Sequence, residues 1–203
     1  MNHFFKIVFL LLFIVTATFA QSPNDGEKNP LPYHEIPAYP DKMTAGTALG
    51  RIIDGLGYRY YWATKDLTEK DLNFEPGNEG RKAREVLDHL YGLSLTIKQT
   101  ARGEANIRPL DIPDWTWEER RVQTLRNIKD GSDALKGLSD EAINQLEIIF
   151  QRGERQSRVP IWHLMNGPID DAIYHVGQIV SFRRSAGNPM NPFVNVFMGK
   201  TKE

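Results

Sequence analysis

The sequence has no cysteine. That excludes a disulfide scaffold, a thiolate zinc site, a cysteine nucleophile and a cysteine-attached lipid anchor. It has little histidine, five in all, so any metal must rest on a few imidazoles together with Asp or Glu. It lacks charge of one sign: 25 Lys and Arg stand against 26 Asp and Glu, for a net charge of −1. Nothing in that balance forms an electrostatic footprint for nucleic acid. There is no internal repeat, no Gly-rich phosphate loop, no Ser nucleophile elbow and no HExxH pair. Beyond the N-terminus no apolar run reaches the roughly 20 residues that span a bilayer.

What is present suits one globular domain. A length of 203 residues fits the usual domain size of about 100–200, and 40% apolar with 10% aromatic residues can build a core. Residues 1–20 read as a secretory signal peptide. Lys6 is the only charge, Ile7 to Val15 is an unbroken apolar run, and Thr18-Phe19-Ala20 closes on a small residue. Cleavage there implies export to the periplasm or the medium, a mature chain beginning near Gln21 and no stable membrane insertion afterwards. Residues 21–42, rich in Pro, Asn, Asp and Gly, read as an extended leader in which His34 is a solvated loop residue. Residues 43–188 carry the helical pattern, and 189–203 form a tail.

Four helices are expected. In the first, Leu49, Ile52, Ile53, Leu56, Tyr60, Ala63 and Leu67 follow helical spacing behind a Thr44 N-cap. The second has Ala83, Val86, Leu87, Leu90, Leu93, Ile97 and Ala101 on one face and stops at Gly103. A Pro-rich connection over 108–115 leads to the capping box Thr116-Trp117-Glu118-Glu119 and a third helix, with Gly131 as its weak point. Residues 139–165 read as a short helix and then a hairpin-like excursion about Arg152-Gly153-Glu154. The last helix is expected to restart at Asn166-Gly167-Pro168, with Pro168 in its first position, and to end at Gly187-Asn188-Pro189.

The chemistry gathers at the margins of two stripes. His175 lies about 40° outside the apolar edge of the last helix, and Asp171, one turn earlier, shares its side. His89 holds a similar margin on the second helix. If the two helices pack through their stripes, His89, Asp171 and His175 meet. Two imidazoles and a carboxylate suit Zn, Ni, Fe(II) or Mn. Three protein ligands leave positions for water or substrate, which Gln178 would orient, or Gln178 would instead make an outer contact to a ligand. The bland alternative is a pair of packed histidines with Asp171 as a first-turn acid. His163 reads as a weak fourth candidate, and Tyr58, Tyr60, Tyr61 and Trp62 as core and cleft wall. Arg183 would pair with a carboxylate or receive an anionic substrate.

His175-Val176-Gly177-Gln178, then Arg183 and Gly187-Asn188-Pro189, resembles the C-terminal helix of the DinB/YfiT-like superfamily. Glu85-Val86-Leu87-Asp88-His89-Leu90 looks like its second-helix histidine segment. The resemblance runs from about Thr44 to Asn188. It implies an all-α fold, a four-helix bundle with a long connection between helices 2 and 3. It also implies a divalent metal, Zn or Ni first and Mn or Fe after them, held by His89 and His175. Where the family carries a further histidine this chain has Asp171. Relatives include thiol S-transferases that use cytosolic thiols and metal-dependent hydrolases. Export argues against a cytosolic thiol, so the expected function is hydrolysis of an unknown small-molecule substrate by metal-activated water. The alternatives are a non-catalytic small-ligand or metal-binding module, a thiol S-transferase-like enzyme, or a purely structural protein. A homodimer is left open, and no nucleic-acid partner is expected.

Overall fold

The computed structural model describes residues 30–77 and 79–202. Residues 1–20, expected from sequence to be a signal peptide, and residues 21–29 of the expected leader lie outside the described residues. The chain from Leu31 onward forms one compact unit and is predominantly helical. Its long helices are α1 (Ala45–Thr64), α3 (Ala83–Ala101), α4 (Trp117–Lys136) and α7 (Asp170–Ser185), with short helices α2 (Glu69–Leu72), α5 (Asp140–Gln145) and α6 (Trp162–Leu164) between them. Among the described residues no helix is long and apolar enough to cross a membrane.

Local chemistry sets the helix starts. Thr44 accepts the Thr47 amide while Thr47 accepts the Thr44 amide, a capping box at α1. Thr116 and Glu119 make the same reciprocal pair at α4. Each box satisfies two donors that the first helical turn would otherwise leave unpaired. α1 ends at Thr64, before Leu67, and Asp66 follows in the left-handed region at φ 59°.

The four long helices close a cycle: α1 touches α4 and α7, and α3 touches the same two. Ile53, Leu56, Val86, Leu87, Leu90, Leu125, Ile128, Val176 and Ile179 fill the space between them, each no more than 2% exposed. Each such side chain contributes about 1.5–3 kcal/mol of burial. Gly131 is a contact point rather than a weak point. A Cβ there would stand 3.0 Å from Ile97 Cγ2 and 3.3 Å from the Lys98 backbone, so its absence lets α4 lie close on α3.

Residues 105–160 add a small sheet in the order β1-β2-β3. β2 (Glu147–Arg152) and β3 (Arg155–Pro160) form the hairpin, turning at Gly153 with φ 57°. The short helix expected before it is α5. The sequence did not reveal β1 (Ala105–Ile107), which pairs parallel to β2 within the connection after α3. Three residues carry no periodicity to detect. β3 ends at Pro160, and Ile161 leads into α6, which Trp162 opens.

Pro168 does not open the last helix. α6 runs through a π-helical turn, Met165–Ile169, into α7, with Pro168 inside that turn. The Asp170 amide reaches back to the Met165 carbonyl. The wider turn accommodates a proline that has no N–H to donate and would crowd the carbonyl one α-turn back.

Leader and tail both dock on α1. Tyr33 is buried, with its hydroxyl donating to Asp54 at 3.0 Å. His34 is packed against Tyr61 and Trp62, at ring separations of 5.7 and 5.0 Å, and is not a solvated loop residue. Its carbonyl accepts the Trp62 indole N–H. In the tail, β4 (Val194–Asn195) and β5 (Lys200–Thr201) form a two-residue ribbon, tied down by the hydrogen bond between Thr201 and Tyr58.

Candidate metal centre

α3 and α7 pack through their apolar stripes, Leu90 from one and Val176 from the other among them. Residues at the margins of those stripes therefore face each other across the seam. His89 Nε2 lies 2.9 Å from Asp171 Oδ2, and His175 Nε2 lies 3.3 Å from Asp171 Oδ1. The two imidazoles stand perpendicular, 4.9 Å between ring centres. One ligand atom from each of the three residues falls within 4.8 Å of the other two. The group is neither sealed nor fully solvated: side-chain exposure is 36% at His89, 40% at Asp171 and 13% at His175.

Gln178, one turn beyond His175, does not reach out to an open position. Its Oε1 lies 2.9 Å from His175 Nδ1. With the amide oxygen assigned there, the Nδ1 N–H donates to it, and in a neutral imidazole Nε2 is then the atom left to face a cation beside Asp171. An amide or carbonyl that fixes the imidazole tautomer is the usual outer support of a metal-binding histidine. The donor set of two imidazole nitrogens and a carboxylate fits Zn, Ni, Fe(II) or Mn. His89, Asp171 and His175 would hold such an ion.

The other expected residues fall elsewhere. His163 is exposed on α6 and does not belong to the group. Arg183 is buried, and burial pulls its guanidinium below the ordinary arginine range, with Asp71 and Asp66 opposing. It donates to the Trp62 and Ala63 carbonyls at 3.1 and 3.0 Å and to the Asn188 carbonyl at 2.7 Å. Arg183 thus satisfies carbonyls at the end of α1. Asn188 donates to the Asp66 carbonyl and to Asp71 Oδ2, closing the same joint.

Sequence reasoning missed the cleft beside His89, a cavity of about 340 Å³. Leu93, Leu110 and Ile112 give it apolar walls, and Thr96 and Arg108 stand along it. Asp88, also at its edge, is already paired with Arg120. Arg108 sits just past β1 in a Pro-rich connection. Only the β1–β2 pairing, extended by the Arg108 amide donating to the Gln151 carbonyl at 2.7 Å, brings it back onto α3.

No family model matches the chain, and no curated protein matches it. Among solved structures, it is similar to a DinB-like protein from Bacillus subtilis. The likeness has a TM-score of 0.51 and 15% identity, covering 70% of this chain and 96% of the other. At that identity the likeness is one of architecture: the chain has a DinB-like fold.

Proposed function

We propose that this is an exported protein with a four-helix bundle of the DinB/YfiT type, which binds a divalent metal through His89, Asp171 and His175 and acts as a metal-dependent hydrolase. The observation that carries the metal assignment is the convergence of two imidazole Nε2 atoms on the two oxygens of one carboxylate, with His175 Nδ1 held by Gln178. The cycle of four long helices and the fold likeness support the bundle, and the N-terminal sequence pattern supports export. A divalent ion with three protein ligands retains open positions and lowers the pKa of water toward about 7. Asp171 would bridge the two helices, His89 and His175 would supply nitrogen, and Gln178 would hold the His175 ring. The adjoining cleft gives a substrate access to that position.

A second reading follows from the 2.9 Å contact between His89 and Asp171, which is a good hydrogen bond without any ion. On this reading the three residues join α3 to α7 and the protein is a non-catalytic small-ligand module. Elemental analysis of the purified protein separates the two. Stoichiometric Zn, Ni, Mn or Fe that disappears in His89→Ala and His175→Ala supports the centre. A metal-free protein whose melting is indifferent to added metal and to chelator supports the second reading. Metal-dependent turnover in an ester and amide panel tests hydrolysis separately. Cell fractionation with N-terminal sequencing tests export, for which a mature terminus near Gln21 is expected.

A further inference from the structure

Arg108 carries an unmatched charge. Of the five N–H donors of a guanidinium, one meets the Ile107 carbonyl at 3.2 Å and one the Thr96 hydroxyl at 2.9 Å. No carboxylate pairs with it among the described residues, although it is only partly exposed and its guanidinium lies over the Phe150 ring at 5.7 Å. Taking a guanidinium partly out of water without an acid is unfavourable, so the remaining donors favour an anionic acceptor. Arg152 and Arg155 line the far side of Arg108 with no acid paired to them among the described residues, which adds to the positive potential there.

The geometry also sets a spacing. Arg108 is anchored to Thr96, seven residues after His89 on α3, so the two functional ends stand about 10 Å apart along the helix. Between them the cleft walls are apolar. We propose that this cleft binds a small molecule with a short apolar body and a carboxylate at one end. Arg108 takes the carboxylate, and the opposite end of the molecule lies beside His89. The anion site rests on Arg108 alone; its use as a substrate determinant rests on the metal reading of His89, Asp171 and His175.

The test uses probes of that length. Binding of octanoate and octanamide to the metal-free protein is followed by calorimetry. Suberic acid monohydroxamate and its amide analogue are then titrated into Zn-loaded protein. The acid is expected to bind about tenfold or more tightly than the amide in both pairs, the scale of one charge-assisted hydrogen bond. That preference should vanish in Arg108→Gln, persist in large part in Arg108→Lys and survive in His175→Ala without metal. Equal binding of acid and amide by the unaltered protein overturns the proposal, as does a preference that survives Arg108→Gln. If the acid preference holds but zinc adds nothing to hydroxamate binding, the metal reading fails and the anion site stands.

Discussion

Asp54 and Asp171 both project from a long helix into the seam with a neighbour, on opposite sides of the helix cycle, and their surroundings differ throughout. Asp54, at the α1–α4 seam, is 1% exposed. It accepts the Ser132 hydroxyl at 2.6 Å and the Tyr33 hydroxyl at 3.0 Å on one oxygen, and the Lys136 ammonium at 2.5 Å on the other. Its charge is matched and it has no place for a further partner. Asp171, at the α3–α7 seam, is far more open and faces imidazoles, which act as ligands only when neutral. A carboxylate sealed among hydroxyls and an ammonium holds structure together; one partly exposed between two imidazoles could hold a cation.

The largest effect should come from the closed site. Asp54→Ala leaves the Lys136 ammonium and the Tyr33 hydroxyl without their acceptor, while Ser132 keeps the Gly50 carbonyl, and a cost of about 3–5 kcal/mol is expected in urea denaturation. A loss below about 1 kcal/mol would place Asp54 with the surface ion pairs and erase the contrast. At the open site the order of effects is reversed: His175→Ala should change metal-free stability little yet remove the gain from added metal. That gain is about 2.7 kcal/mol at a hundredfold excess over Kd, and thermal melts with and without zinc read it. Gln178→Leu should keep the metal stoichiometry and weaken affinity about 10–100-fold by freeing the His175 ring, read by competition with a chelator. An unchanged affinity would assign Gln178 to the helix surface.

Asp71 lies between the two extremes. Burial alone would raise its carboxyl. The Asn188 amide, the Thr68 amide and hydroxyl and the Arg183 charge outweigh burial, and the group sits below the ordinary carboxylate range. A depressed folded-state pKa contributes stability above the unfolded value of about 3.9 that is lost as pH falls through the folded one. The stability gap between the unaltered protein and Asp71→Asn should therefore narrow only below about pH 4. A gap independent of pH would show that the ionised form is not what the joint requires.

Much of this was legible one residue at a time. The N-cap at Thr44, the capping box at Thr116 and the stop at Gly103 involve neighbours in sequence, so spacing revealed them. The margin positions of His89, Asp171 and His175 followed from helical periodicity, because a residue's angle about its own helix axis is a local quantity. The fate of Pro168 was not legible, since a proline at a helix start and one inside a π turn share the same local preferences. Arg183 was not legible either: its acceptors on α1, the Trp62 and Ala63 carbonyls, lie more than a hundred residues away, and a carbonyl leaves no trace in side-chain chemistry.

By itself the sequence determined the helical character and the three residues of the candidate centre, because stripes and turn spacing are set within a few residues of chain. The tertiary structure alone decided that Asp54 is sealed while Asp171 is open. It alone decided that Gln178 turns to His175, and that a three-residue strand in the connection after α3 returns Arg108 to that helix at Thr96, about two turns beyond His89. Those outcomes depend on which surfaces meet, and pairing between distant segments is fixed by packing the whole chain rather than by the preferences of any one part.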